Sequence, residues 1–196
     1  FQKIAGKYYY FNKKTGFSVG GFVKFGNNFY RYFNTKTYAM ATGWMTDSKG
    51  HKRYFNPKTG KLTTGWVNCS KGRKRYFTSG EGVMATGWLT NSKGQKRYFY
   101  KTSGYMATKW VKNNSKNISY YFAPSTGYMY TGLKTIDQKN YYFKSNGVMA
   151  VSTSVTVNGI TYSIAADGVA TAKTTKPNVN VSNGNVKVYD TKNSRY

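Results

Sequence analysis

Short runs of alternating apolar and polar residues recur along the chain, and a turn-forming stretch interrupts each of them. In residues 43–55 the letters GWMTD predict a strand, SKGH predicts a turn, and KRYF predicts a returning strand. Tyr, Phe, Thr and Val favour pleated strands, whereas Gly favours turns because it tolerates positive φ, as Gly50 would here. The pattern therefore predicts an all-β chain whose unit is one β-hairpin followed by a loop.

This unit repeats at a fixed spacing. Successive Tyr-Phe pairs lie 22 residues apart four times, then 23 and then 21 residues apart. A residue that is usually Trp precedes most pairs by about ten positions, and a Gly follows most of them by about five. A period of about 20–22 residues predicts a solenoid of stacked β-hairpin repeats, in which each repeat completes the core of the next. The pairs begin at Tyr10, Tyr32, Tyr54, Tyr76, Tyr98, Tyr121 and Tyr142.

A lone hairpin is only marginally stable in water, so the core must form between hairpins. Stacking is predicted to bury the Trp, Phe, Met and Leu positions of each repeat against its neighbours. The Met position is occupied by Met40, Met84, Met106, Met129 and Met149, and once by Leu62.

The repeat weakens towards the end of the chain. We predict six to seven hairpin repeats in residues 1–150, and a degenerate terminal repeat in residues 151–170 with a turn at Asn158-Gly159. Residues 171–196, rich in Thr, Asn and Lys, are predicted to be a linker or the start of a further domain. Because the pattern is already under way at Phe1, we expect a fragment of a longer protein. No apolar run approaches the ~18 residues of a transmembrane segment.

The charge balance points to an anionic partner. The chain has 31 Lys and Arg residues against 5 Asp and Glu residues, a formal net charge of +26. Nucleic acid, an anionic membrane and an acidic polymer such as teichoic acid are the partners that such a balance suggests. Charged hairpin faces also maintain solubility and prevent edge-to-edge aggregation, but both signs of charge would serve that purpose.

The sequence contains no recognisable catalytic or metal-binding constellation. His51 and Cys69 are the only residues of their types, so a catalytic triad, a His/Cys metal cluster and an intrachain disulfide are all excluded. We therefore predict a non-catalytic protein without a cofactor or a metal. The acidic residues are isolated from one another along the chain and are Asp47, Glu81, Asp137, Asp167 and Asp190.

Several of these linked positions resemble a known family. The string MATGW at residues 40–44 and 84–88, with YYF phrases at 120–127 and 141–147, resembles the choline-binding and glucan-binding repeats of Gram-positive surface proteins. The resemblance covers roughly residues 6–168. It implies a left-handed superhelix of hairpins with ligands held between successive hairpins. In the choline-binding branch, an aromatic cage there holds a quaternary ammonium by cation–π attraction.

The chain departs from that cage in its central repeats. The first Trp of the cage is kept, but Lys52, Lys74 and Lys96 replace the second Trp, each followed by Arg. Only the first two repeats carry an aromatic residue there, Tyr8 and Tyr30. A lysine ammonium beside a bound ammonium is electrostatically unfavourable, so choline binding is the less favoured prediction.

Strand alternation predicts where these cations lie. Lys52 and Tyr54 should share a face near Trp44, whereas Arg53 should share the Phe55 face and extend across a neighbour with its head in solvent. A Lys beside Tyr and Trp suits a polymer that contains phosphate and sugar or polyol. The predicted ligand-binding residues are Trp44, Lys52, Tyr54, Trp66, Lys74, Tyr76, Trp88, Lys96, Tyr98 and Trp110.

The sequence thus predicts a secreted, cell-surface module that anchors a larger protein to an anionic wall polymer, teichoic or lipoteichoic acid. One alternative is a neutral α-glucan-binding module of a glucansucrase-like enzyme, whose binding should survive high salt. Another is an adhesin for host glycans or mucin. Nucleic acid would also suit aromatic and cationic side chains, but it is not expected because the family resemblance points outside the cell.

Overall fold

The computed structural model of the protein describes residues 1–26 and 29–173, together with two later strands given below. Strands and turns dominate these residues, and the only helices among them are two 3₁₀ turns, Ser70–Gly72 and Asn114–Lys116. No helix in the described part of the chain is long and apolar enough to cross a membrane. The predicted all-β fold class is therefore confirmed.

The chain divides into two compact units. The first consists of Phe1–Val111 with Phe122–Met129, and the second consists of Lys112–Tyr121 with Tyr130–Tyr196. The division falls at two strands, which are β11 (Lys109–Asn113) and β12 (Ile118–Phe122).

Antiparallel hairpins built from consecutive strands make up the first unit, as the repeat predicts. β1 pairs with β2, β3 with β4, β5 with β6, β7 with β8, and β9 with β10. Their bounds are β1 Gln2–Ile4, β2 Lys7–Tyr9, β3 Gly21–Phe25, β4 Phe29–Phe33, β5 Gly43–Thr46, β6 Lys52–Phe55, β7 Gly65–Asn68, β8 Lys74–Phe77, β9 Gly87–Thr90 and β10 Lys96–Phe99.

The turn between β5 and β6 shows why these letters form a hairpin. Gly50 adopts a φ of +81°, which its lack of a Cβ permits. The Asp47 side chain accepts hydrogen bonds from the backbone N–H groups of Lys49 and His51, at 3.0 and 2.9 Å, and so holds the turn closed. The short polar side chain at the end of the first strand therefore fixes the hairpin register.

The core of the first unit is a column of phenylalanines, one from each Tyr-Phe pair after the first. The exposed fraction of these rings is 0–2%, whereas Phe11 of the first pair is only half-buried. Within β5 and β6, Phe55 lies opposite Gly43, and it also forms a β-bridge to Leu62 in the following loop. A residue without a side chain thus faces the bulky ring. The column in the first unit consists of Phe33, Phe55, Phe77, Phe99 and Phe122.

Successive hairpins of the first unit are joined by main-chain hydrogen bonds at the Met position. The Met84 N–H donates to the Lys52 carbonyl, and the Met106 N–H donates to the Lys74 carbonyl, both at 2.8 Å. Leu62, Met84 and Met106 are 5–8% exposed. The predicted role of this position in stacking is confirmed.

The Trp position was predicted to be buried, and this prediction is wrong. Trp44, Trp66, Trp88 and Trp110 are 40–50% exposed. Each of the first three lies against the buried Phe of the next hairpin; Trp44, for example, has its ring centroid 6.0 Å from that of Phe77. The Trp therefore covers the Phe column with one side of its ring and keeps the rest of its surface in solvent.

The second unit also consists of antiparallel strands with tight turns and buried apolar side chains, but its repeats are less regular. Asn158 and Gly159 both adopt positive φ, +49° and +77°, as the predicted hairpin turn requires. Its core contains Ile136 and Phe143 in one cluster and Ile164 in another. The strands are β13 Gly132–Ile136, β14 Lys139–Phe143, β15 Thr153–Val157, β16 Ile160–Ile164, β17 Ala170–Ala172, β18 Asn178–Ser182 and β19 Asn185–Tyr189.

The segment after residue 170 was predicted to be a linker or the start of a further domain. Residues 171 and 172 belong to β17, which pairs with β16, and β18 pairs with β19. Residues 174–177, 183, 184 and 190–196 lie outside the described residues. The domain boundaries given above for the repeats and the terminal segment remain predictions.

Replacing Gly104 with Ala tests the packing of loop glycines against the Met position. Gly104 has a φ of +66°, and a Cβ there would overlap the Met84 side chain. Gly94 in the same repeat has a φ of +75° with no atom within 4 Å of a Cβ. Positive φ alone should cost Gly94→Ala about 1–2 kcal/mol. Gly104→Ala should lose a further ~1–3 kcal/mol through overpacking.

The measurement is the free energy of unfolding of both variants in urea. Equal losses for the two variants would show that the loop does not depend on close contact with Met84.

Candidate binding grooves between successive hairpins

The predicted site residues of each central repeat lie on one face of its hairpin. Trp44 pairs with Tyr54 across the strands, and their ring centroids are 5.0 Å apart. Lys52 lies two residues before Tyr54 and therefore projects from the same face. The ring centroids of Trp66–Tyr76 and Trp88–Tyr98 are 5.0 and 5.1 Å apart, and Lys74 and Lys96 occupy the corresponding strand positions.

A cavity of about 330 Å³ opens between hairpins on this face. Trp44 and Lys52 come from one repeat, Arg75 from the next, and Ser103 from the loop of the third. Tyr54 lies on the same face but not in the lining. The cavity is lined by Trp44, Thr46, Lys52, Arg75, Met84, Thr102 and Ser103.

Two further cavities in the first unit repeat this design towards the N-terminus. They measure about 410 and 320 Å³. Both are lined by an aromatic residue, an arginine and a loop residue. These residues precede the equivalent residues of the cavity at Trp44 by about one repeat in one case and two repeats in the other. The position of Lys52 is taken by Tyr30 and Tyr8. The first is lined by Phe22, Tyr30, Arg53, Gly80 and Glu81, and the second by Phe1, Tyr8, Arg31, Met40, Lys58 and Thr59.

The Arg53 side chain lies inside the structure rather than in solvent, whereas Arg31, Arg75 and Arg97 are half-buried. The prediction that Arg53 crosses to a neighbour is correct, but the prediction that its head is solvated is wrong, since Arg53 is 8% exposed. Its Nε donates to the Glu81 carbonyl at 2.9 Å, and its guanidinium lies 5.5 Å from the centroid of the Phe22 ring. The Arg53 guanidinium therefore connects Phe22 of the preceding repeat to the loop of the following repeat, which contains Glu81.

The same arrangement recurs in the other repeats of the first unit that carry this arginine. Each Nε donates to a backbone carbonyl 28 or 29 residues further along the chain, at 2.7–2.9 Å. Each guanidinium also lies within cation–π distance of aromatic rings. The donor–acceptor pairs are Arg31–Thr59, Arg53–Glu81, Arg75–Ser103 and Arg97–Thr126.

Sequence analysis missed this role, although a signal for it was present. The residue two positions before the buried Phe is Arg in four successive repeats. The residue that precedes this Arg is not constant, since it is Tyr30 in one repeat and Lys52 in the next. Such constancy on the core-facing side of a strand indicates a packed residue and not a solvated one.

Only one of these arginines has a carboxylate partner within the described residues. Arg53 Nη1 lies 2.8 Å from Asp47 Oδ2, and His51 Nδ1 lies 3.1 Å from the same oxygen. The hydrogen bond from Arg53 is the main reason why the pKa of the Asp47 carboxyl lies well below its usual range. Hydrogen bonds from His51 and from the Lys49 backbone act in the same direction, and partial burial opposes them.

The equivalent residues in the next two repeats are uncharged. Cys69 replaces Asp47, and its Sγ accepts a weak hydrogen bond from Arg75 Nη1 at 3.5 Å. Asn91 replaces it in the following repeat, where its amide contacts the Tyr128 hydroxyl at 3.0 Å. The Arg75 charge therefore has no compensating carboxylate in the part of the chain that the structure describes.

Two family models match parts of the chain. A choline-binding repeat matches residues 63–109, and a putative cell wall binding repeat matches residues 1–14 and 131–149. A comparison with curated protein sequences found no match.

Solved structures from Streptococcus pneumoniae have the same fold. Over 86% of this chain, CbpJ is 28% identical with a TM-score of 0.70, and choline binding protein F is 29% identical with a TM-score of 0.71. The alignments cover 56% and 55% of those chains, so this chain spans little more than half of their length. A complex of CbpF with ipratropium gives 27% identity and a TM-score of 0.70, and covers 86% of this chain and 57% of that one.

Stacked hairpins with aromatic grooves between them define a β-hairpin repeat protein. The matched models and structures support one type of repeat: parts of the chain match choline-binding and cell wall binding repeats, and its stacked hairpins are similar to those of choline-binding proteins. The resemblance noted from the MATGW strings is confirmed.

Replacing Asp47 with Asn tests the ion pair with Arg53. The pKa of this carboxyl is lower in the folded chain than the ~3.9 of an unfolded Asp, so the carboxylate stabilises the fold above that pH. The contribution is lost as the pH falls from about 4 through the depressed pKa of the folded chain. Asp47→Asn should therefore lower the urea midpoint near neutral pH, and the difference from the wild type should shrink in acid.

Urea unfolding of both proteins across this pH range is the measurement. Asn can accept the same turn hydrogen bonds, as Asn91 does, so a difference that is absent or stays constant with pH would show that the carboxylate charge contributes nothing.

Proposed function

We propose that this chain is a non-catalytic module that binds an anionic polymer of the Gram-positive envelope, teichoic or lipoteichoic acid. It would thereby attach a larger secreted protein to the cell surface. The observation that carries the proposal is the cavity in which Trp44, Lys52 and Arg75 meet with no carboxylate in the lining.

The chemistry of this cavity suits a phosphodiester of a polyol or sugar. The Lys52 ammonium and the Arg75 guanidinium are donors for phosphate oxygens. The half-exposed indole of Trp44 offers an apolar face to the carbon chain or ring that links the phosphates. The hydroxyl groups of Thr46 and Ser103 add neutral hydrogen-bonding groups at the rim.

Repetition would strengthen binding to a polymer. The first unit presents related grooves at the spacing of its hairpins, and a polymer with a regular phosphate spacing could occupy several of them. Each exposed ion pair contributes only ~0.2–1 kcal/mol, but linked sites gain through a high effective concentration. The net charge of +26 would also favour approach to an anionic surface.

The structural relatives support a location at the cell envelope. Choline binding protein F has been crystallised in the presence of a peptidoglycan analogue, and it is 28% identical to this chain with a TM-score of 0.70. A ligand in the envelope fits a secreted protein with cell-wall-binding repeats.

A neutral polysaccharide is the second candidate ligand. The two N-terminal cavities favour it, because each has two aromatic residues in its lining. These are Phe22 and Tyr30 in one cavity and Phe1 and Tyr8 in the other, and the two Tyr residues stand where the cavity at Trp44 has Lys52. Aromatic faces of this kind stack on sugar rings without any need for charge. Binding to such a polymer should be insensitive to salt.

Cell-wall sedimentation of the whole chain tests the first proposal. Gram-positive walls are used before and after extraction of teichoic acid, at low and at high salt. We expect binding to be lost on extraction and to fall steeply with salt, because exposed ion pairs are screened. Binding that persists through both treatments would contradict the proposal and favour a neutral polysaccharide.

Two charge-matched triple variants test whether the grooves carry the binding. Lys52, Lys74 and Lys96 are changed to Gln in one variant, and the turn lysines Lys49, Lys71 and Lys93 are changed to Gln in the other. The first variant should bind walls roughly tenfold more weakly, since it loses three ion pairs of ~0.2–1 kcal/mol each. The turn variant should lose clearly less. Equal losses would mean that net charge, and not the grooves, determines binding.

A further inference from the structure

We propose that Arg75 and Arg97 are specificity-determining residues that act as built-in cations of two aromatic sites and exclude ammonium ligands from them. This inference deepens the proposed function, on which it rests only for the identity of the bound polymer. It states which ligand these two sites reject, in a chain whose residues 63–109 match a choline-binding repeat.

Each guanidinium lies near rings from two other repeats. Arg75 is 5.3 Å from the centroid of the Trp44 ring and 4.0 Å from that of Tyr105. Arg97 is 5.1 Å from the Trp66 centroid and 3.6 Å from that of Tyr128. Both pairs of distances fall within the ~6 Å over which a ring attracts a cation. An aromatic pair that would attract an external ammonium already has a cation of the chain beside it.

The arginines are held in these positions. The Nε of Arg75 donates to the Ser103 carbonyl at 2.8 Å, and the Nε of Arg97 donates to the Thr126 carbonyl at 2.7 Å. These acceptors are fixed main-chain groups of the loop that also supplies Tyr105 or Tyr128. A free ammonium would have to displace a tethered guanidinium, which loses less entropy on binding than a dissolved ion does.

The two sites have a surplus of positive charge. Neither guanidinium lies within ion-pair distance of a carboxylate in the described residues, in contrast to Arg53, which contacts Asp47. Lys52 adds a second cation to the cavity that Arg75 lines. A second ammonium would meet repulsion from both groups, whereas a phosphate or another anion would be attracted.

The test removes the built-in cation and asks whether an ammonium takes its place. The whole chain with Arg75→Ala and Arg97→Ala is titrated with choline chloride, and the indole N–H resonances of Trp44 and Trp66 are followed by NMR. These two resonances should shift saturably in the variant, with an affinity about tenfold or more above any wild-type response at the same residues.

Three controls isolate the cation–π contribution. The Arg75→Lys, Arg97→Lys variant keeps a cation on the chain and should show no gain. Sodium chloride at equal ionic strength should not reproduce the shifts, and neither should 3,3-dimethyl-1-butanol, the neutral isostere of choline. A folded Ala variant whose Trp44 and Trp66 resonances do not respond to choline would overturn the inference, as would an equal response in the wild type.

A second measurement needs no substitution and covers the case in which the Ala variant fails to fold. In the wild type, the Nε–H signals of Arg75 and Arg97 should be shifted upfield by the neighbouring rings and should exchange slowly with solvent. Signals at ordinary positions with fast exchange would show that the guanidinium groups do not occupy the sites.

The outcome is independent of the wall-binding experiment. Free choline and resonances of individual residues report only on the two aromatic sites. If the chain fails to bind walls but gains choline binding on substitution, the proposed polymer is wrong and the role of the arginines stands. The reverse result would leave the polymer in place and remove the arginines as determinants of specificity.

Discussion

Burial of one phenylalanine ring in each repeat after the first is the constraint on which the rest of the first unit depends. A ring of this kind contributes about 1.5–3 kcal/mol when it leaves water, and a single two-stranded hairpin has no surface that could cover it. The cover comes from the preceding hairpin, whose Trp lies against the ring, as Trp44 does against Phe77. The Trp of each hairpin must lie opposite the Phe of the next one, so an insertion or deletion within a repeat would move the two rings apart. This accounts for the constant 22-residue spacing of the central repeats.

The same constraint creates the grooves. A strand alternates its side chains, so the residue two before the buried Phe must also face the preceding hairpin. In this chain that residue is Arg, and Arg75 consequently meets Trp44 across the interface. The Trp, Tyr and Lys face of one hairpin thus opposes the Phe and Arg face of the next. The groove between them contains a half-exposed aromatic ring and cations without any loop devoted to binding.

Sequence analysis could predict the hairpins, the period and the Phe and Met packing because these depend on local turns and on alternation within short strands. It placed Trp44, Lys52 and Tyr54 on one face for the same reason. It failed for the burial of Trp and for the guanidinium of Arg53, since both depend on distances between residues about 30 positions apart. Periodicity within one repeat specifies which face a residue takes, but not which group of another repeat fills the space in front of it.

Under the proposed function, the two strand positions before the Tyr-Phe pair combine specificity with stability. Neither contributes a ring to the Phe column, so a different residue there leaves the hairpin stack possible and changes what the groove attracts. The Lys position, exposed at Lys52 and occupied by Tyr in the first repeats, is free to vary in this way. The Arg position is more restricted, because its side chain also ties a loop carbonyl of the following repeat to an aromatic ring of the preceding one. A substitution at Arg75 accordingly removes a contact that connects three repeats, whereas a substitution at Lys52 only alters the charge of a groove.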